Sequence, residues 1–282
     1  MLNYLSEVWI YKFRFHLQVT DTYIFPEFQG TALRVLFTGL RRKDSELCNF
    51  FFETEGKHLQ TKPFIICPFN FDKRIYYVGE FLIFDLIIFG SNIQYFNNIV
   101  PFFELDGRPV LSKKKIFRFA YLQNIVSSHE AVNIDDFRSA LPFRFSDLQV
   151  TNQHKKLIVR FLTPVCIANC QQPQDYSFER IVENIIERIA LIQCNFSDSE
   201  IFTSFSPFLQ NAKNIVTKKN RLFPVKVRHF TRNEVVYNAF IGELFFEGDF
   251  TIFNEIFQLA EIIQIGRGTT SALGKLQFLW ND

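Results

Sequence analysis

The sequence predicts an α+β protein built from two successive β-α-β-β-α-β units. Three observations carry this. Strand-like alternation and helix-like periodicity follow one another in the same order twice. A polar, irregular stretch from Ser127 to His154 separates the two runs and divides the chain into residues 1–150 and 151–282. With 282 residues, 48% of them apolar, the chain is long enough for two cores of ordinary size.

In the first unit, Val8 to Val19 alternates and is rich in aromatic and β-branched residues, as a strand requires. After a turn at Pro26 and Gly30, Thr31 to Arg42 places Leu33, Leu36, Phe37 and Leu40 on one helical face. Phe64 to Phe69 and Ile75 to Phe89 read as strands joined by Asn70-Phe71-Asp72-Lys73. Asn92 to Leu105 reads as a second helix and Lys115 to Val126 as the closing strand. In the second unit, Leu157 to Ile167 is a strand, and Phe178 to Cys194 an amphipathic helix with Ser177 as N-cap. Asp198 to Val216 reads as further helix interrupted by Pro207. Val225 to Thr231 and Val235 to Phe246 read as a hairpin, Thr251 to Ile263 as a helix capped near Thr251, and Leu276 to Trp280 as the last strand. This order is the tandem ferredoxin-like (RRM-like) arrangement.

Composition narrows the function classes. Five cysteines form no CxxC pair, and Cys166 with Cys170 lacks a second pair of metal ligands, so neither metal nor cofactor is expected. The most hydrophobic window, Tyr76 to Phe89, contains Glu80 and Asp85 and falls short of a membrane span. With no signal sequence at the N-terminus, a cytoplasmic protein with reduced thiols and no membrane partner is the expectation. A net charge of +2 does not by itself argue for nucleic acid. Its distribution does: Ile201 to Asn233 has no acid and carries Lys213, Lys218, Lys219, Arg221, Lys226, Arg228 and Arg232. A solvated charged face is the plainer reading of the same run.

The most informative segment is Gly266-Arg267-Gly268-Thr269-Thr270-Ser271-Ala272-Leu273-Gly274-Lys275, between the last helix and the last strand. Its glycines allow close backbone approach, and its N–H groups, hydroxyls and two cations suit an anionic backbone such as RNA phosphate. It is not a P-loop: Gly268 to Lys275 is one residue too long, and Leu276 stands where Ser or Thr is needed. It is not a dinucleotide fingerprint either, since position 271 is Ser and a strand follows.

Tyr237-Asn238-Ala239-Phe240-Ile241-Gly242-Glu243-Leu244, Gly248-Asp249 and Gly266 to Gly274 together resemble the signature "GFxGE…YEGD…hIGKGTTxGLG", with Ala239 in place of a glycine. That signature belongs to the CRISPR-associated endoribonucleases that process precursor CRISPR RNA, members of the RAMP superfamily. Arg160-Phe161-Leu162-Thr163-Pro164 resembles the strand opening that family's second domain. Lys62-Pro63-Phe64, Val78-Gly79-Glu80 and Leu86 to Gly90 follow in the family's order, and Ala32-Leu33-Arg34 is similar to the start of its first helix. The chain departs from many relatives at Val35, Thr38 and Gly39, where Gly and "GH" are common, and the usual cysteine cluster is reduced to Cys48.

The resemblance implies RNA bound by the glycine loop and cleaved without metal, the 2′-hydroxyl attacking the adjacent phosphate to give a 2′,3′-cyclic phosphate and a 5′-hydroxyl. Such a reaction needs a base, an acid and a cation at the phosphate oxygens. Of His16, His58, His129, His154 and His229, His58 is the candidate, lying in a polar segment shortly before the Lys/Pro/Phe element, with Lys62 as the cation. A solvated loop histidine is the alternative. The expected RNA contacts are Arg34, Arg41, Arg42, Lys218, Lys219, Arg228, Arg232, Gly266, Arg267, Gly268, Thr269, Thr270, Ser271, Gly274 and Lys275. The expected partners are CRISPR repeat RNA or its processed product, and other CRISPR effector subunits. A RAMP subunit that holds guide RNA without cutting it remains the competing reading.

Overall fold

The computed structural model describes residues 8–25, 28–37, 62–99, 110–111, 114–127, 129–134, 139–143, 154–197, 205–229 and 234–281. The first half runs β1 (Ile10–Val19), β2 (Tyr23–Ile24), α1 (Gly30–Leu36), β3 (Phe64–Pro68), β4 (Ile75–Tyr76), β5 (Phe81–Phe89), a 3-10 segment (Gly90–Asn98), β6 (Val110–Leu111), β7 (Lys114–Lys115), β8 (Phe117–Ile125) and β9 (Ala131–Asn133). The aromatic-rich β1 lies centrally in a sheet ordered β3-β5-β1-β8-β9, in which every neighbouring pair is antiparallel. Taken in chain order, the four long strands therefore lie 2-3-1-4.

Two expectations change here. Ile75 to Phe89 is not one strand: the chain reverses at Tyr77–Glu80, with Gly79 at φ +90° and the Tyr77 N–H bound to the Glu80 carboxylate. The short β4 thereby pairs with β2 instead of extending β5. The helix expected over Asn92–Leu105 is a 3-10 segment as far as Asn98, and positions 100–105 lie outside the described residues. Asn92 donates its side-chain amide to the Phe89 carbonyl (2.9 Å), a local bond that competes with α-helical pairing. Arg41 and Arg42 of the predicted first helix also lie outside the described residues.

The second half repeats the order with β10 (Lys156–Val165), α2 (Phe178–Phe196), α3 (Ser206–Ala212), β11 (Val216–Arg228), β12 (Val235–Glu247), α4 (Asn254–Ile263) and β13 (Leu276–Trp280). Its sheet is ordered β11-β12-β10-β13, again 2-3-1-4 and antiparallel throughout. Ser177 caps α2, accepting the Arg180 N–H at 3.2 Å. Pro207 sits in the first turn of α3, where a missing N–H costs nothing, so it starts a helix and does not interrupt one. Val216 already belongs to β11, which pairs with β12 nine residues earlier than periodicity suggests. At Thr251 the cap is reversed: Asp249 accepts both its N–H (3.0 Å) and its hydroxyl (2.7 Å), and a 3-10 turn precedes α4.

The basic run lies mostly on β11, and tertiary pairing supplies acids the local sequence lacks. Lys213 meets Glu179 (3.8 Å), Lys218 meets Glu247 (3.2 Å), and Arg221 meets Glu243 (3.9 Å), which Arg160 shares at 2.7 Å. No helix among the described residues is long and apolar enough to cross a membrane.

The two faces of the first sheet have different owners. Phe13, Phe15 and Leu17 with Leu82, Phe84 and Leu86 pack under Ala32, Leu33 and Leu36 of α1. On the opposite face, Ile10, Ile65, Ile87, Phe89 and Ile125 join the core of the second half, including Ile256, Leu259 and Ile263 of α4. Midway along this face Asp85 is buried, held by Lys12 (3.2 Å) and by both Nε and a terminal nitrogen of Arg14 (2.8 and 3.1 Å). Burial pushes its carboxyl up, but Lys12 and Arg14 outweigh that and hold it below the ordinary carboxylate range. A depressed carboxyl stabilises the fold above its unfolded-state pKa, and that stability is lost as pH falls through the lower folded value. Asp85→Asn is therefore expected to cost about 3–5 kcal/mol at neutral pH by stranding two cations. In urea titrations the gap from the parent protein should close as pH drops below about 4.

Candidate nucleic-acid interface

The last helix ends at Gln264 (φ +57°), and the chain enters the glycine loop at Ile265. Seven of the loop's ten N–H groups are consumed internally. Gly266 donates to Asn184 Oδ1 (2.7 Å), Arg267 to the Cys166 carbonyl, Ser271 and Leu273 to Gly268, Ala272 to Thr269, Gly274 to Pro164, and Lys275 to Thr163 Oγ1 (2.9 Å). Of the ten, the N–H groups of Gly268, Thr269 and Thr270 meet no acceptor among the described residues. The anion-receptive backbone is thus one short arc of the loop.

The rest of the loop is structural. Gly274 (φ +74°) lies so close to Ile265 that a Cβ would stand 1.7 Å from its carbonyl oxygen. Ser271, Ala272 and Leu273 are buried, Leu273 between Val227 and Ala239 of the β11–β12 hairpin. Ser271 presents its carbonyl to the start of α1, where a Cβ on Gly30 would lie 2.0 Å from that oxygen. Lys275 donates its ammonium to the Glu261 carbonyl on α4 and does not line the cleft described next.

In front of the free arc is a cleft of about 260 Å³ lined by Gly266, Gly268, Thr269 and Thr270, by Tyr237 of β12, by Asn184, Glu187, Arg188 and Leu191 of α2, and by Lys62. Lys62, from the other half of the chain, thus shares a cavity with a loop some two hundred residues away in sequence. Arg188 is buried among the isoleucines of α2. It reaches Thr269 Oγ1 (3.0 Å) and the Ile263 carbonyl (3.5 Å), tying the helix to both ends of the loop entrance. Burial lowers its pKa to about 10, so it stays cationic at neutral pH.

Of the other expected contacts, Arg267 is exposed between two lining glycines, Arg34 lies in the last turn of α1, and Lys218, Lys219 and Arg228 are exposed along β11. His58 and Arg232 lie outside the described residues. None of the other histidines lines this cleft: His16 is buried on β1, His129 borders a different cleft, His154 stacks on Trp280 (5.8 Å), and His229 follows β11. Sequence reading missed Arg188, Asn184, Glu187 and Tyr237. Positions 184, 187, 188 and 191 form a stripe at helical spacing, and an arginine inside the apolar face of α2 was the visible signal.

Residues 159–276 match the family model described as CRISPR-associated endoribonuclease Cas6. Over that stretch, 118 of the 282 residues, the chain is similar to the Cas6 family. Residues 7–134 match a second model, described as an N-terminal domain. No curated protein matches the chain by sequence. Among solved structures, a partial Cas6-RT-Cas1–Cas2 complex matches with TM-score 0.68 at 10% identity, over 97% of this chain and 46% of that one. A Cas6 product complex matches with TM-score 0.62 at 15% identity, over 96% and 100% of the two chains. Thermus thermophilus Cas6 gives 0.60 at 12%, over 96% and 99%. At these identities the likeness is one of fold, a mixed α/β architecture with antiparallel sheets. The chain spans less than half of the first of these proteins. The cleft depends on Gly268, whose Cβ would meet Leu273 and Tyr237.

Two substitutions test this construction. Arg188→Met leaves the Thr269 hydroxyl and the Ile263 carbonyl without their buried donor, an expected loss of about 1–3 kcal/mol, with faster amide exchange across 264–272 than elsewhere. Gly30→Ala forces α1 away from Ser271. An overpacking cost of about 1–3 kcal/mol is expected in thermal denaturation, together with the same local rise in exchange.

Proposed function

We propose that this chain is a Cas6-type endoribonuclease that cuts CRISPR repeat RNA without metal and holds the product. The observation that carries the reading is the convergence of Lys62 and the receptive arc Gly268–Thr270 on one cleft. A scissile phosphate seated there would accept N–H donors from the loop, with the Lys62 ammonium and the buried Arg188 guanidinium supplying positive charge. His58, four residues before Lys62, takes the proton from the 2′-hydroxyl. The 2′-oxygen attacks phosphorus and the 5′-oxygen leaves and is protonated, so the ends are a 2′,3′-cyclic phosphate and a 5′-hydroxyl with no water consumed. Arg267 and the exposed cations of β11, Lys218, Lys219 and Arg228, would hold flanking phosphates and set register without reading sequence.

The same reading takes residues 1–150 and 151–282 as two ferredoxin-like domains, a view favoured by their common 2-3-1-4 strand order. It places the protein in the cytoplasm, where CRISPR transcripts and effector subunits would be its partners. The second reading, a subunit that binds guide RNA without cutting it, is favoured by one observation: no histidine among the described residues lines the cleft.

Incubation with the cognate repeat RNA in excess EDTA separates the two. Cleavage to cyclic-phosphate ends is expected, with His58→Ala slowing single-turnover cleavage by about 10²–10⁴-fold, the range for loss of a general acid–base group. Lys62→Ala should slow it while leaving RNA affinity within a few fold. Tight binding with intact RNA would favour the non-catalytic subunit, and normal cutting by His58→Ala would remove that residue from the mechanism.

A further inference from the structure

Among the described residues, the outer face of the first sheet is covered only in part. At one end Ile10, Ile65, Ile87, Phe89 and Ile125 lie in the core shared with α4. Toward the other end, the same face carries Arg14 and His16 of β1, Phe81 of β5, Tyr121 and Gln123 of β8, and Phe69 just beyond β3. Phe69, Phe81 and Tyr121 are 46%, 38% and 41% exposed, high values for aromatic side chains on a sheet.

These rings are ordered. The His16 imidazole stacks on Tyr121 with centroids 4.0 Å apart and planes 16° from parallel. Phe81 stands edge-on to both, at 6.3 and 6.2 Å. Gln123 fixes the imidazole through a 3.0 Å bond to Nε2, and burial lowers the His16 pKa, favouring the neutral ring. Arg14 lies over Phe69 at 4.4 Å while its guanidinium also holds Asp85. Asp85 is the only acid projecting on this face from β1, β3, β5 and β8, and it is buried beneath Lys12 and Arg14. Those two cations also border a second cleft of about 350 Å³ with His129, Gln258 and Lys275, which Glu130 and Glu261 line as well.

We propose that this uncovered end of the first sheet is a second nucleic-acid site, which binds single-stranded RNA by stacking bases on Tyr121, Phe81 and Phe69. The exposed residues are aromatic or polar, and the nearest aliphatic, Ile83, is partly buried. Flat rings beside guanidinium and carboxamide groups match unpaired bases, whose faces stack and whose edges accept and donate hydrogen bonds. Lys12 and Arg14, together one positive charge in excess of Asp85, give the phosphodiester backbone a cationic edge. The inference rests on the proposed function only for the kind of polymer; the site lies away from the glycine-loop cleft and needs no cleavage.

The test uses the full chain and an unstructured, fluorescently labelled 12-nucleotide RNA at low salt, read by anisotropy. Tyr121→Ala and Phe81→Ala are each expected to weaken binding by about tenfold, within the range for loss of one stacking partner. Tyr121→Phe should stay within twofold. In parallel, the unsubstituted protein is photocrosslinked to the same RNA carrying 5-bromouridine; adducts on β5 or β8 are expected, and this readout does not depend on any variant folding. Unchanged affinity in both alanine variants, or adducts confined to 266–270, overturns the proposal. So does concentration-dependent dimerisation abolished by Tyr121→Ala, which would make the face a contact between copies. Loss of binding in Arg267→Ala alone would sink the platform and leave the proposed function standing. Adducts on β8 without repeat cleavage would do the reverse.

Discussion

The close seating of the glycine loop is the constraint on which the rest of the structure depends. A loop that spends seven N–H groups on its own surroundings is held in place, and the three that remain are consecutive, at Gly268, Thr269 and Thr270. The seating requires backbone to meet backbone where no Cβ fits, at Gly274 against Ile265, at Gly266 against Cys166 and at Gly30 against Ser271. The last contact joins the halves of the chain, because Gly30 opens α1 in the first and Ser271 closes the loop in the second. The cleft is then a consequence: with α1 and β3 held against the loop, Lys62 is delivered to its mouth.

Charge follows the same economy. Arg188 is placed in an apolar helix face at a desolvation cost, offset by hydrogen bonds to Thr269 and the Ile263 carbonyl. It therefore acts on the cleft in two ways, as a fastener for the loop entrance and as a fixed positive charge behind it. Asp85 does the complementary job on the first sheet, gathering Lys12 and Arg14 onto one face. Both are single charges buried where a hydrophobic residue would pack.

Much of the fold was legible from periodicity. β1, α2, β12, α4 and β13 were readable because each carries a continuous alternation or an amphipathic stripe, and the Ser177 cap needed only its own residues. Where reading failed, the cause was non-local. β11 looked like helix and loop over its first nine residues because its exposed polar sequence is held as strand by pairing with β12. The single strand expected at 75–89 divided because Gly79 and Glu80 reverse the chain and β4 finds a partner in β2. The acid-free run from 201 to 233 looked uncompensated because Glu179, Glu243 and Glu247 come from other elements.

For the site, the sequence by itself determined the glycine loop and its position before the last strand, since glycine spacing is a local property; it paired Lys62 with His58 and not with the loop. Only the tertiary structure decided which part of the loop lines the cleft. Ser271 and Gly274 are buried and Lys275 turns toward α4, because hydrogen-bond partners and steric room come from Pro164, Thr163, Ile265 and α1, far away in the chain. Arg188 and Tyr237 joined the cleft on the same ground. A side chain's neighbours are set by packing between elements, which no stretch of sequence contains alone.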